Sequence, residues 1–387
     1  LLNNDHPVIY LDHAATSWPK PPEVFKAMQE ALIKAGANPG RGSHAMAVQA
    51  SRVLFRTRQI LSELFHIKNA NDIVFTSNTT MALNFAIKGW IKPGDHVIAT
   101  MIEHNSVRRP LEYLKRTKGV TVDYIPVNEE GSIDLKKVEQ AFRPNTSLVV
   151  CNHSSNLLGS ILPVGELGDM AHRHGAVFAV DAAQTAGTVN IDVNDMDIDL
   201  LAFPGHKGLL GPQGTGGLYI APHIDLTPLL HGGTGSQSID TDQPSVRPDR
   251  YEAGTPNTVG IAGLHAGVQT VLNYTTSRLY EQEWRLTQRL MDGLGHITDI
   301  KVFGPQMGEE RTGIVSFIME GKDSSEIAFR LDQEFGIAVR AGFHCTPLAH
   351  SVVDTLKTGA VRASVGYDTT NDDIDVLLEA LRHISKI

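Results

Sequence analysis

Cysteine is nearly missing from this chain: among 387 residues only Cys151 and Cys345 occur. Two thiols cannot build the disulfide framework of a small secreted scaffold, and each is free to act as a reagent or as packing. Positive charge is also short. Lys plus Arg number 34 against 43 Asp plus Glu, a net charge of −9, and no basic block stands out, so the electrostatic footprint of a nucleic-acid binder is absent. Long apolar runs are lacking as well, and none approaches the ~18 consecutive residues of a membrane helix. No secretory signal is visible, because polar first residues lead into a strand-like run and not into an apolar h-region. A reducing, cytoplasmic setting is expected. What is present, 41% hydrophobic and 20% charged residues, is ordinary globular composition, and the length allows two to three domains at roughly 150 residues each.

Short β-rich apolar runs alternate with segments of helical period. The runs Asp72–Phe75, His96–Thr100, Thr121–Ile125, Ser147–Cys151, Val177–Asp181 and Leu200–Phe203 read as strands. Pro22–Gly36, Ala45–Phe65, Ser106–Lys118 and Val164–His174 read as the helices between strands. Such alternation predicts an α/β fold with a mostly parallel sheet flanked by helices. The pattern changes near Glu252–Asn257. Gly260–Leu294 has helical character throughout, followed by strands near Lys301–Phe303 and Gly313–Met319 and helices at Ser324–Phe335 and Asn371–Ile384. We read residues 16–260 as a large domain, and residues 1–15 with 261–387 as a smaller α+β domain. His231–Asp249 has no period and reads as a long loop.

The run FPGHKGLLGPQGTGG at 203–217 puts Lys207 just after an apolar strand and before a glycine-rich turn. Open α/β sheets bind ligands at such strand ends, although a lone lysine in a turn is more often a surface residue. Asp181 weighs against that bland reading. It ends the apolar strand AVFAVD, where a buried carboxylate costs several kcal/mol unless a cation meets it. A pyridinium nitrogen is such a cation, and a lysine one strand away holding the same ring as a Schiff base is the arrangement expected for pyridoxal phosphate. The third requirement is a phosphate site. In TSNTTMALNFAIKGW at 76–90 a polar turn opens a helix, whose free N–H groups and dipole favour an anion. Thr79 and Thr80 read as N-caps, as phosphate ligands, or as both. His104 follows the strand His96–Thr100 and sits on the same rim, where an imidazole can stack on a cofactor ring and move protons.

Taken in order, YLDHAATSWPKP (10–21), NPGRGSH (38–44), TSNTTMALN (76–84), EHNS (103–106), SNLLG (155–159), VDAAQ (180–184), FPGHKGLLGPQG (203–214), YEAGTPNT (251–258), RAGFHCTPLAH (340–350) and VRASVGYDTTNDDID (361–375) resemble the cysteine desulfurase family. That family is the class V aminotransferase branch of fold-type I pyridoxal-phosphate enzymes, and the resemblance is to its SufS-like and selenocysteine-lyase-like group. It implies that Lys207 carries pyridoxal phosphate, Asp181 pairs with the pyridinium nitrogen, Gln184 bonds the phenolic oxygen and His104 stacks on the ring. It implies Thr79, Thr80 and His206 at the phosphate, with Thr255 entering from the partner of a homodimer. It places Asn156 and Arg362 on the substrate carboxylate, which a planar guanidinium meets bidentately, and it implies no metal. One position departs from the family pattern: Pro204 stands where a small hydroxyl residue is usual, and proline offers neither hydroxyl nor N–H.

The two thiols separate on context. Cys151 ends an apolar strand and reads as a packed core residue. Cys345 lies in a loop beside His344 and Arg340, an electropositive setting that favours thiolate. The resemblance makes Cys345 the nucleophile that takes sulfur from L-cysteine as a persulfide, leaving L-alanine. The persulfide would pass to an unidentified acceptor protein, as in iron–sulfur cluster assembly. Selenocysteine lyase, another C–S lyase or an epimerase on the same fold would share Lys207, Asp181 and the phosphate motif. An inactive sulfur-carrier scaffold would share only the fold.

Overall fold

The computed structural model describes residues 8–40, 42 and 44–386. The first seven residues of the expected smaller domain, together with Arg41 and Ser43 of the NPGRGSH stretch, lie outside the described residues. The strands described are β1 (Ile9–Tyr10), β2 (Ile73–Thr76), β3 (His96–Thr100), β4 (Thr121–Ile125), β5 (Thr146–Asn152), β6 (Val177–Asp181), β7 (Leu200–Pro204) and β8 (Gly216–Ile220). Five more follow: β9 (Ile300–Phe303), β10 (Ile314–Met319), β11 (Ile337–Ala338), β12 (Arg340–Gly342) and β13 (Ala360–Ser364).

One sheet of seven strands runs in the order β2-β8-β7-β6-β5-β3-β4. From β7 to β4 every neighbouring pair is parallel, whereas β8 is antiparallel to both β7 and β2. Helices cover both faces, so β3, β6, β7 and β8 are buried at successive positions instead of alternating ones. The covering helices bury a stripe. Asn105–Lys118 turns Val107, Pro110, Leu111 and Leu114 inward and stops at Gly119, whose φ of +63° suits a residue without Cβ. Strand β8 is hidden in the sequence because it opens on two glycines. A Cβ on Gly217 would run into the ring of Phe203 on β7.

A second sheet, β12-β13-β10-β9, is antiparallel throughout. Its own core, around Leu290, Phe317, Leu331, Leu377 and Leu381, is sealed by helices Thr276–Gly295, Ser324–Phe335 and Asn371–Ser385. Two features depart from the sequence reading. The segment from 260 to 294 is two helices, Thr258–Tyr274 and Thr276–Gly295, broken at Thr275. Thr275 has φ +70° and its hydroxyl accepts from the Arg278 N–H, so it ends one helix and caps the next. The first of these helices buries Leu264, Val268 and Val271 in the core of the large sheet, so that core continues beyond residue 260. Residues 231–249 contain neither helix nor strand. No helix among the described residues is long and apolar enough to cross a membrane.

The N-terminal segment joins the two cores. Strand β1 pairs in parallel with β11, and the Ala14 N–H donates to Ser364 Oγ at 2.9 Å. Three residues later Ser17 Oγ donates to the carbonyl of Lys207 at 3.0 Å.

Candidate active site

The carboxyl ends of β3, β5, β6 and β7 open into a cleft of about 800 Å³, closed from the other side by residues 340–362 of the smaller unit. Lys207 follows β7 by three residues and is half-buried, lining the cleft. Gly208 holds this turn close to its neighbours, since a Cβ there would press on the carbonyl of Ala186. Burial first, and then the nearby Arg362 and Arg340, push the Lys207 amine down from 10.5 to about 8. Asp181 ends β6 and is buried. Its Oδ1 accepts the Ala183 N–H at 2.9 Å, and burial raises it to about 6 despite that bond and the Lys207 charge. Lys207 and Gln184 also line a smaller cavity behind the cleft, with His13 and Glu283.

Helix Thr79–Trp90 points its N-terminus into the cleft. The cap is Asn78, whose Oδ1 accepts from Met81 N–H at 2.9 Å, so neither threonine caps the helix. Both hydroxyls are thereby released: Thr79 Oγ1 has no partner in the protein, and Thr80 Oγ1 lies 2.7 Å from Ser106 Oγ. His206 faces the same region with Nδ1 unpartnered, and burial together with Lys207 and Lys20 lowers it to about 4, leaving it neutral. Pro204 ends β7 opposite Gly216 and does not line the cleft.

His104 is the N-cap of helix Asn105–Lys118: its Nδ1 accepts the Ser106 N–H at 3.1 Å. Burial, and then Lys207 and Arg340, lower its pKa to about 4. Gln184 spans the floor, donating from Nε2 to the Ala14 carbonyl at 3.2 Å.

At the other end sit an anion anchor and a thiol. Arg362 is buried on β13, with Nη2 on Asp12 Oδ1 at 2.8 Å and Nη1 on the Asn156 carbonyl at 3.0 Å, while Nε is unpartnered. Cys345 lies between β12 and the helix Pro347–Val352, exposed, with its Sγ 4.0 Å from Arg340 Nη2. The positive charge there comes from arginine alone. His344 is buried, and burial and Arg362 hold it down at about 2. Cys151 is fully buried, and burial with Glu103 and Asp181 raises its thiol pKa well above the usual value.

Lys207, Asp181, Gln184, His206, Thr79, Thr80, His104, Asn156 and Arg362 therefore meet in one cleft, with Cys345 at its edge beside the lining residues Arg340 and His344. Thr255 is exposed and outside it. Sequence reasoning missed Asp12, Ser106 and Glu103. Glu103 is wholly buried and raised by burial to about 8; its Oε1 accepts from Thr100 Oγ1 at 2.5 Å and from the Asn152 N–H at 3.1 Å. The nearest signal for Asp12 and Ser106 was their place inside the YLDHAAT and EHNS stretches.

Six buried polar atoms of cleft-lining side chains have no protein partner: Thr79 Oγ1, Asn152 Oδ1, Asn156 Oδ1, His206 Nδ1, His344 Nδ1 and Arg362 Nε. Each costs about 1–3 kcal/mol if left unpaired. Two of them, on Thr79 and His206, lie at the helix end where a phosphate fits, and with the buried Asp181 carboxyl and the Lys207 amine lining the same cleft the site suits pyridoxal phosphate.

Comparison with known proteins agrees with this geometry. The family model described as aminotransferase class-V matches residues 9–377. A probable cysteine desulfurase of Methanothermobacter thermautotrophicus is 36% identical over 390 residues, covering 99% of this chain and 96% of its own. One of Pyrococcus abyssi is 36% identical over 388 residues, covering 98% and 94%. The apo structure of the cysteine desulfurase from Thermococcus onnurineus NA1 superposes with a TM-score of 0.91 at 34% identity, covering 98% of this chain and 95% of that one.

Proposed function

The chain belongs to the class-V aminotransferases and, within them, to the cysteine desulfurases, and from that premise we propose how its own side chains carry out the reaction. It is a pyridoxal-phosphate enzyme that converts L-cysteine to L-alanine and transfers the sulfur. The observation that carries the residue assignment is that Lys207 and Asp181 share a cleft whose edge bears an exposed thiol 4.0 Å from a guanidinium.

When bound, the cofactor supplies an electron sink that lets an amino acid lose its Cα proton. Lys207 is its attachment point and then the base that takes that proton, a task suited to an amine pushed down to about 8. Asp181, largely ionised at neutral pH, holds the ring nitrogen protonated. Thr79, the free N–H groups of its helix and His206 hold the phosphate. His104 would stack on the cofactor ring and Gln184 would bond its phenolic oxygen. Arg362 and Asn156 fix the substrate carboxylate, which orients the cysteine side chain toward residue 345. The Cys345 thiolate forms an S–S bond with the substrate sulfur as the Cβ–S bond breaks. The sulfur stays on Cys345 as a persulfide, and the three-carbon remainder takes up protons and leaves as alanine.

The acceptor approaches at Cys345, where the thiol is exposed. A second copy completes the site, with Thr255 entering the neighbouring cleft. This is supported by the exposure of Thr255 and by uncovered apolar side chains on two adjacent helices: Phe25, Leu32 and Ile33 on one, and Met46 and Phe55 on the other. Two free cysteines fit a reducing, cytoplasmic setting. Selenocysteine would use the same anchor and thiol.

The test is the absorbance spectrum of the purified protein before and after L-cysteine. A visible band that Lys207→Ala abolishes, and that Cys345→Ala keeps while losing alanine and sulfide formation, is the expected result. Sulfide release unchanged in Cys345→Ala would overturn the assignment of the thiol.

A further inference from the structure

Three side chains on two different helices form an unbroken hydrogen-bonded line along the cleft wall. Thr80 Oγ1 is 2.7 Å from Ser106 Oγ, and Ser106 Oγ is 2.8 Å from His104 Nδ1. A fourth atom sets the direction. The backbone N–H of Ser106 donates to the same His104 Nδ1 at 3.1 Å. A ring nitrogen that receives an N–H carries a lone pair, so the neutral imidazole holds its proton on Nε2. The Ser106 hydroxyl then also donates to Nδ1, and Ser106 Oγ accepts from the Thr80 hydroxyl. Thr80 has a single hydroxyl proton. While His104 is neutral that proton is turned away from an anion at the helix end, and Thr80 can meet a phosphate only through its backbone N–H.

A proton gained at Nδ1 breaks the bond from the Ser106 N–H and reverses the rest of the line. The ring N–H now donates to Ser106 Oγ, Ser106 donates to Thr80 Oγ1, and the Thr80 hydroxyl is free to donate to phosphate. No proton travels along the chain; each hydroxyl turns. We propose that Ser106 is a positioning residue that couples the phosphate cradle to the protonation state of His104. Phosphate bound at Thr80 thus favours protonated His104, and protonated His104 tightens the phosphate by the same factor. Such a link matters because burial, Lys207, Arg340, Arg109 and Arg362 all hold His104 neutral in the free protein, whereas proton delivery during turnover needs it charged. The inference rests on pyridoxal phosphate being the ligand.

The test uses the full-length protein labelled with ¹⁵N-histidine and loaded with either pyridoxal phosphate or pyridoxal, which lacks the phosphate. The His104 signal is identified by its loss in His104→Gln. The expected result is a His104 pKa about one unit higher with pyridoxal phosphate than with pyridoxal, a tenfold coupling. That difference should shrink by at least half in Ser106→Ala and return in Ser106→Thr. Ser106→Ala removes the acceptor that holds the Thr80 hydroxyl away from the helix end, so pyridoxal phosphate affinity should be kept or rise up to about threefold and lose its dependence on His104 protonation, while pyridoxal affinity is unchanged. The cap from the Ser106 N–H survives both substitutions, so the helix end is retained. A pKa difference as large in Ser106→Ala as in the wild type would overturn the coupling and leave direct attraction across space. A protein that binds neither aldehyde with a visible band would instead overturn the cofactor reading.

Discussion

The side-chain amide of Asn156 donates from Nδ2 to the carbonyl oxygen of His344 at 2.6 Å. The residue proposed to face the substrate carboxylate therefore also holds the backbone next to Cys345, while its backbone carbonyl accepts from Arg362. Two further bonds pin the same loop: the Asn105 N–H to the Cys345 carbonyl at 2.8 Å, and Thr346 Oγ1 to the Glu103 carbonyl at 3.1 Å. The thiol is presented on a held turn in which His344 and Cys345 both have positive φ.

Asn156→Ala should lower kcat/KM for alanine formation by roughly tenfold, acting on both kcat and KM, because its side chain holds the nucleophile loop and is proposed to meet the substrate carboxylate, whereas the backbone carbonyl that binds Arg362 is kept. Asn156→Asp should be worse, since it turns a carboxylate toward a carbonyl oxygen and a substrate carboxylate. Steady-state kinetics on the two variants check this. An Asp variant more active than the Ala variant would contradict it.

Arg362→Lys should raise KM for L-cysteine by about 10- to 100-fold and leave the cofactor band in place. A lysine is a point charge and cannot serve Asp12, the Asn156 carbonyl and a carboxylate from fixed directions as the guanidinium does. A titration of turnover against cysteine concentration, with the visible spectrum recorded in parallel, separates binding from loss of cofactor.

Alkylation with iodoacetamide under native conditions should add one group, at Cys345. Cys151 is buried and its thiol is held protonated. Peptide mass spectrometry reads the site, and prompt modification of Cys151 in folded protein would count against the packing described.

The buried carboxyl of Glu283 contributes stability that is lost as pH rises. Glu283 is buried, and burial lifts it from 4.5 to about 8. The folded state thus binds more protons than the unfolded state between those values, and stability is lost across that window. A tenfold change in proton affinity between the two states is worth about 1.4 kcal/mol. Glu103, raised in the same way, acts with the same sign. Glu283→Gln should flatten the fall of Tm with pH between 6.5 and 8, above the range in which the buried histidines titrate. A variant as pH-sensitive as the wild type would show that the carboxyl is already ionised when folded.

The parallel strands were readable because a strand covered on both faces must be apolar at every position, as in Val177–Asp181. Strand β8 was not, because its glycines answer to the ring of Phe203 and not to any local period. The break at Thr275 is carried by one residue in a stretch whose helical pattern is otherwise continuous. In the site, residues expected to touch cofactor or substrate stood in recognisable stretches. Asp12, Ser106 and Glu103 act through other residues, and their partners lie as far as 350 positions away, beyond the reach of spacing.

The N-terminal splint bears on the order in which the protein is made. Its partners are Lys207, Ser364 and the strand at Ile337, so β1 waits for strands more than 300 residues further along the chain. The large sheet is complete once Ile220 has emerged, and it can assemble during synthesis. The cleft cannot. Until Arg362 and Ser364 are synthesised, the Asp12 carboxylate and the Ala14 N–H lack these partners, and a truncated chain carries a half-site without the Arg362 guanidinium. Catalytic competence is therefore acquired only once Ser364 has been made, in one closing step and not by degrees.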